Sequence, residues 1–196
     1  SSLDTVLIPE SVTAIGGGAF IASGIKSVYI PDSVTSLEEQ VNFANCPNLE
    51  KVVIGNGLTS IPEYCFSGCP NLKQVVIGSN VSVIEECAFG FCDSLTDISL
   101  PASLVSVEIP FISSQLNPYA NIYYEGSSDQ WGHIRYYGSL YSYDPMISGK
   151  KIYNSQLHYC SYGDSASGYP ALEIYKAGSV ETVMDIDRED MELIGW

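Results

Sequence analysis

Residues 48–69 read NLEKVVIGNGLTSIPEYCFSGC, and residues 71–92 read NLKQVVIGSNVSVIEECAFGFC. The second stretch repeats the first in its apolar skeleton. Each opens on a triplet spaced i, i+3, i+5: Leu49/Val52/Ile54, then Leu72/Val75/Ile77. A glycine follows (Gly55, Gly78), then a second apolar pair (Leu58/Ile61, Val81/Ile84), and a phenylalanine closes the set (Phe66, Phe89). Cys65 and Cys69, four apart beside Phe66, raise a question the stretch alone leaves open: metal clip, redox pair or packing.

Further copies lie on both sides. SLDTVLIPESVTAIGGGAF (2–20), GIKSVYIPDSVTSLEEQVNFANC (24–46) and SLTDISLPASLVSVEIPF (94–111) carry the triplets Leu3/Val6/Ile8, Ile25/Val28/Ile30 and Leu95/Ile98/Leu100. Successive triplets begin 22, 24, 23 and 23 residues apart. Pro9, Pro31 and Pro101 stand where the central copies have glycine, and Phe20, Phe43 and Phe111 complete the phenylalanine series. One such unit holds too few apolar groups for a core of its own, so the units must stack as a solenoid.

The shared pattern, L-x-x-V-x-I-P-x-S-V-T-x-I-x-x-x-A-F-x-x-C-x-x-L, resembles the BspA-like leucine-rich repeat family of bacterial surface proteins over residues 1–111. IYYEGSSDQWGHI (122–134) resembles the segment that often closes such arrays, and NSQLHY (154–159) the strand that commonly follows it. The expected fold is an α/β repeat: a right-handed leucine-rich-repeat solenoid with a parallel β-sheet face, short helical or turn segments opposite, and a β-rich C-terminal cap. The expected organisation is a solenoid over 1–118 in about five repeats, a capping segment over 119–160, and a β-rich tail, or a lead into a further domain, over 161–196.

The register answers the cysteine question in part. Cys46, Cys69 and Cys92 each lie three residues after a phenylalanine, and Ser23 takes that place in the first copy. They form a column, one per coil, with coils about 4.8 Å apart. A straight column does not converge on a metal, which needs sulfurs about 2.3 Å from one centre. A bridge between neighbours is within Cα reach, but parallel Cβ vectors strain it. Buried thiols acting as small hydrophobes are the reading that fits, with a neighbour disulfide or a metal as alternatives. Cys65 aligns with Asn42 and Ala88, and Cys87 with Val41 and Tyr64, outside the column.

The strand positions between the inward triplet members form two outward columns. One is polar: Thr5, Ser27, Lys51, Gln74, Asp97. The other is mostly apolar: Leu7, Tyr29, Val53, Val76, Ser99. An apolar stripe of this kind marks a binding face or a covered one, or reflects the β-propensity of Val and Tyr. Leu7, Tyr29, Lys51, Val53, Gln74, Val76 and Asp97 are the candidate binding face, expected to be exposed. A second candidate is aromatic. Twelve of the fourteen tyrosines lie between Tyr119 and Tyr175, and Trp131, Tyr136, Tyr137, Tyr141 and Tyr143 form a possible sugar-stacking site. Trp131 reads more simply as a cap on the last coil, in a short helix N-capped by Ser128 or Asp129. The stretches around Leu157 and Leu172 read as strands joined by the turn-rich GDSASGYP, in a small β element packed against the end of the solenoid.

Catalysis finds little support. GDSAS around Ser165 looks faintly like a hydrolase nucleophile turn, but nothing brings His158 with Asp144 or Asp164 to it. DIDRED (185–190) fails as a calcium loop, because the sixth and twelfth positions are Asp190 and Trp196. No cofactor or metal is expected. A net charge of −15 argues against nucleic acid and anionic membrane surfaces. No apolar run approaches the roughly 20 residues of a spanning helix. The opening SSLDTVLIPES has no basic n-region, so no signal peptide is expected in it. The family resemblance implies a bacterial cell-surface, extracellular module that is monomeric and binds a protein or glycan on a host or neighbouring cell. A rigid spacer and a carbohydrate-binding tyrosine segment are the alternatives.

Overall fold

The computed structural model describes residues 5–38, 42–109, 120–138, 150–153, 157–163, 170–176 and 191–192. Phe111, Tyr141, Tyr143, Asp144, Asp164, Ser165 and the 185–190 acidic run lie outside them. Each coil supplies one strand to a wide sheet and one to the opposite side. In chain order these are β1 (Thr5–Leu7) and β2 (Ala14–Ile15), β3 (Ser27–Ile30) and β4 (Ser36–Leu37), β5 (Lys51–Ile54) and β6 (Ser60–Ile61), and β7 (Gln74–Ile77) and β8 (Val83–Ile84). Next come β9 (Asp97–Leu100) and β10 (Ser106–Ile109), then β11 (Asn121–Tyr124), helix α1 (Ser128–Trp131), β12 (Arg135–Gly138) and β13 (Lys150–Tyr153). The wide sheet runs β1-β3-β5-β7-β9-β11-β13, all parallel. The side opposite carries β6-β8-β10-β12 and the separate pair β2-β4. There the expected helical or turn segments are turns and short strands, and among the described residues α1 is the one α-helix.

The stack continues past the last sequence repeat. β11 pairs with β9 and β13 with β11 in unbroken register, so Ile98, Ile122 and Lys151 share one column and Leu100, Tyr124 and Tyr153 another. The strand beside β11 is therefore Lys150–Tyr153. Leu157 instead opens β14 (Leu157–Gly163), which pairs antiparallel with β15 (Pro170–Lys176) and β16 (Met191–Glu192) in a sheet of its own.

Register explains the repeat. Alternate strand residues point inward, and Val28, Val52, Val75, Ile98 and Ile122 stand side by side, all buried. β-branched side chains suit this pleated, close-packed surface. The glycine after each central triplet is required by contact. A Cβ at Gly78 would lie 2.2 Å from the Gly55 carbonyl oxygen, and one at Gly55 would lie 2.3 Å from Asp32 Oδ1.

The phenylalanines form a second column. Successive rings from Phe20 through Phe43 and Phe66 to Phe89 are 4.9, 5.2 and 5.3 Å apart and within 8° of parallel. The spacing is that of neighbouring strands. Left-handed residues beside each phenylalanine turn its ring inward. Gly18, Tyr64 and Cys87 lie two before the phenylalanine, and Ala22, Asn45, Gly68 and Phe91 two after, with φ between 51° and 72°. A non-glycine in this region costs about 1–2 kcal/mol, so the turn is held by what it buries.

Cys46, Cys65, Cys69, Cys87 and Cys92 are free and buried. Each column thiol donates to the carbonyl of the phenylalanine one coil earlier: Cys46 to Phe20 at 3.1 Å, Cys69 to Phe43 at 3.3 Å and Cys92 to Phe66 at 3.3 Å. Ser23 Oγ lies 3.3 Å from Cys46 Sγ at the head of the column. The Cys69 thiol and burial together raise the pKa of Cys46, and burial raises that of Cys65. Thiolate is the reactive form, so these thiols are inert. The column is a hydrogen-bonding ladder. Beside it, Asn42 in the longer repeat is fully buried, and its Nδ2 donates to the carbonyls of Ile15, Gly16 and Glu38 at 3.0–3.3 Å.

Two outcomes follow from the columns. Phe66→Ala removes a ring stacked on both sides and is expected to cost about 3–5 kcal/mol, read as a fall in the urea midpoint. A midpoint near that of the parent would show that the phenylalanine column is not core. Alkylation in denaturant without reductant should label Cys46, Cys69 and Cys92 in full. A mass corresponding to a Cys46–Cys69 or Cys69–Cys92 bridge would overturn the ladder.

Candidate binding face

The outward columns run the whole width of the wide sheet. Register joins Thr5, Ser27, Lys51, Gln74, Asp97, Asn121 and Lys150 in one, and Leu7, Tyr29, Val53, Val76, Ser99, Tyr123 and Ile152 in the other. The apolar column is not the exposed stripe expected from sequence. Val53 is 0 % exposed, Val76 7 % and Tyr123 buried, and with Tyr29 and Ile152 they form a second apolar cluster separate from the main core. The reason is a covering layer. The C-terminal sheet lies on this face, β14 against β7 and β15 against β3, and not on the end of the solenoid. Leu7, on the first strand, remains 44 % exposed.

The polar column divides likewise. Lys51 and Gln74 are half-buried, and Asp97 is buried. Asp97 Oδ2 accepts from Thr96 Oγ1 at 2.8 Å, while Oδ1 accepts from Asn121 Nδ2 at 3.0 Å and from the Tyr123 hydroxyl at 3.1 Å. Hydrogen bonds to a charged group are what make a buried carboxylate tolerable. Sequence reading missed Asn121 and Tyr123 as members of this face, although the spacing of NIYYEG places a strand there. Ser99 Oγ, next to Asp97 and fully buried, has no hydrogen-bond partner. Just before β5 and β7, Lys73 Nζ sits 2.8 Å from Glu50 Oε2 and holds that carboxyl below its ordinary range.

The aromatic candidates fall in different places. Trp131 packs on the main core and meets Tyr124 and Tyr153 edge-on, with centroids 5.2 and 6.2 Å apart. Its helix is capped by Ser127, one residue before the expected cap. Ser127 Oγ accepts from the Gln130 N–H at 3.2 Å, and Gln130 Oε1 accepts from the Ser127 N–H at 2.9 Å. This reciprocal pair explains the choice. Tyr136 and Tyr137 are exposed on β12. Among the described residues no group of three or more His, Cys, Asp and Glu is placed to hold a metal, and no helix is long and apolar enough to cross a membrane.

Asp97→Ala would leave the Asn121 amide and the Tyr123 hydroxyl without their shared acceptor. The expected cost is about 1–3 kcal/mol. Tyr123→Phe added to it should cost less than Tyr123→Phe alone, because the two residues act as one network. Strict additivity in urea denaturation would show that the carboxylate does not hold Tyr123.

The geometry has counterparts. A leucine rich cell surface protein from Faecalibacterium prausnitzii is 34 % identical, with a TM-score of 0.63 over 70 % of this chain and 36 % of its own. A leucine-rich repeat protein from Eubacterium ventriosum is 31 % identical, with a TM-score of 0.51 over 55 % of this chain and 29 % of its own. One from Bacteroides ovatus is 25 % identical, with a TM-score of 0.54 over 75 % and 42 %. The chain thus spans less than half the length of these structures. No curated protein matches it. The family model for the BspA type leucine rich repeat region matches residues 1–116 in six copies, and with the stacked register already described it follows that the chain belongs to the BspA-type leucine-rich repeat family.

Proposed function

We propose that this chain is a non-catalytic interaction module displayed on a bacterial cell surface, where it binds a protein or glycan of a host or neighbouring cell through the wide sheet. The observation that carries this reading is the outward face itself. Its parallel strands hold an apolar and a polar column side by side on a scaffold fixed by stacking, and leucine-rich repeats commonly serve as protein-interaction modules. The surface location rests on the family and on the similar F. prausnitzii cell surface protein. The contact residues would be Leu7, Tyr29, Lys51, Val53, Gln74, Val76 and Asp97, of which Val53, Val76 and Asp97 are buried in this structure. The same reading takes the coil as right-handed, as parallel crossovers almost always are, residues 119–160 as its cap, and the chain as a monomer.

Carbohydrate binding by the tyrosine segment is the second reading, favoured by the exposure of Tyr136 and Tyr137. A spacer with no partner is the third. Adhesion of the labelled full chain to candidate cells separates them. Lys51→Glu combined with Gln74→Ala should reduce capture at least about tenfold, the scale of one or two lost interfacial contacts. Capture that is unchanged by this pair and lost with Tyr136→Ala/Tyr137→Ala would move the site to β12. Capture indifferent to both would leave the spacer.

A further inference from the structure

Val53 sits on the outward side of β5, flanked in register by Tyr29 and Val76. Neighbours in the same sheet cannot shield a side chain from above, yet Val53 is wholly excluded from solvent. The layer above it is the sheet of β14, β15 and β16. β14 has seven residues, which at about 3.3 Å each extend some 23 Å, or about five strand spacings. That length suits a ribbon lying across the face, where β15 meets β3 and β14 meets β7. The ribbon's strands pair with one another in a separate sheet and add no strand to the wide one. Face packing therefore holds it in place.

What lies beneath is unlike a permanent core. The Asp97 carboxylate is buried there, and so is Ser99 Oγ, without a hydrogen-bond partner. An orphaned buried hydroxyl costs about 1–3 kcal/mol, and native cores rarely keep one. Lifting the layer returns Ser99 to water, and a partner with a polar group opposite it would satisfy it directly. The cost of closure and the separateness of the ribbon both weaken its hold on the face.

We propose that the β14–β15 ribbon is a strap that closes the binding face and lifts as a unit, so that a protein partner presenting its own apolar strand replaces it over Tyr29, Val53, Val76 and Tyr123. This rests on the reading of the wide sheet as the binding surface. The closed ribbon shows the kind of occupant the face accepts: a β-ribbon laid across it. The strap would let the free protein keep its apolar column out of water until a partner competes for it.

The test uses the full chain with Cys160→Ser and a single new thiol, either Val53→Cys or Leu7→Cys, with maleimide labelling mapped by mass spectrometry. Leu7→Cys should react as an open thiol and Val53→Cys at least about 100-fold more slowly, in line with protection by a local opening. In a urea series, Val53→Cys should label well before Cys69, which waits for global unfolding. Tyr159→Pro breaks the central strand of the ribbon through the backbone and should bring Val53→Cys within about tenfold of Leu7→Cys, with Cys69 still protected. Equal rates for Val53→Cys and Leu7→Cys in the parent would overturn the strap. So would joint labelling of Val53→Cys and Cys69 at every urea concentration, or a Tyr159→Pro chain that leaves Val53→Cys protected or exposes Cys69. No partner enters this measurement, so failed cell binding would remove the functional reading and leave the labelling result standing.

Discussion

The structure depends on the distance between one coil and the next. Strands in a sheet stand about 4.8 Å apart, and everything inside the solenoid must repeat at that interval or leave a void. The phenylalanine rings do so at 4.9–5.3 Å, nearly parallel. The thiol ladder does so by a different bond, each sulfur reaching back one coil to a carbonyl. The two columns are coupled, because the acceptor of each thiol is the backbone of a stacked phenylalanine. A change in one coil's ring position therefore moves the acceptor of the next coil's thiol. Nearest-neighbour dependence of this kind is what makes a solenoid quasi-one-dimensional.

That constraint also decides what could be read from sequence. Inward positions must match across coils, so Val28, Val52 and Val75 or Phe43, Phe66 and Phe89 recur and announce themselves. The sixth and seventh strands were harder to see. Tyr124 takes the inward place that Leu100 and Ile77 hold in earlier coils, and Ile122 keeps the aliphatic register but has no phenylalanine after it. Stacking tolerates this substitution because Trp131 and Tyr153 meet the Tyr124 ring edge-on and fill the wider space. The N-cap was misplaced by one residue because Ser127, Ser128 and Asp129 are all suitable caps, and only the reach of Gln130 back to Ser127 distinguishes them.

The covered face was misread for a different reason. Val53 and Val76 suit a strand whether it meets solvent or another layer, so their identity does not report their exposure. The covering strands lie about 80 to 120 residues further along the chain, a separation no local pattern spans. The polar column carried a clue that gains meaning only with the fold. Asp97 stands in a column otherwise made of Lys, Gln, Asn and small polar residues, and two of its donors, Asn121 and Tyr123, come from beyond the recognisable repeats.

Inside and outside thus follow opposite rules within one chain. The inner columns are nearly uniform, because a stack penalises any coil that differs from its neighbours. The outer columns change from rung to rung: Leu7, Tyr29, Val53, Val76, Ser99, Tyr123 in one, Ser27, Lys51, Gln74, Asp97, Asn121 in the other. Stacking places no demand on those positions, so their variety is free to encode a contact surface. With the proposed strap, that variety has two readers. The chain's own ribbon meets it in the closed state, and must be matched well enough to exclude water from Val53 yet poorly enough, at Ser99, to be displaced. A partner improves on the ribbon only by making the bonds the ribbon leaves unmade. On this account the specificity of the face resides in its polar groups, Asp97 and Ser99 above all, and the apolar column supplies adhesion to whichever ribbon is present.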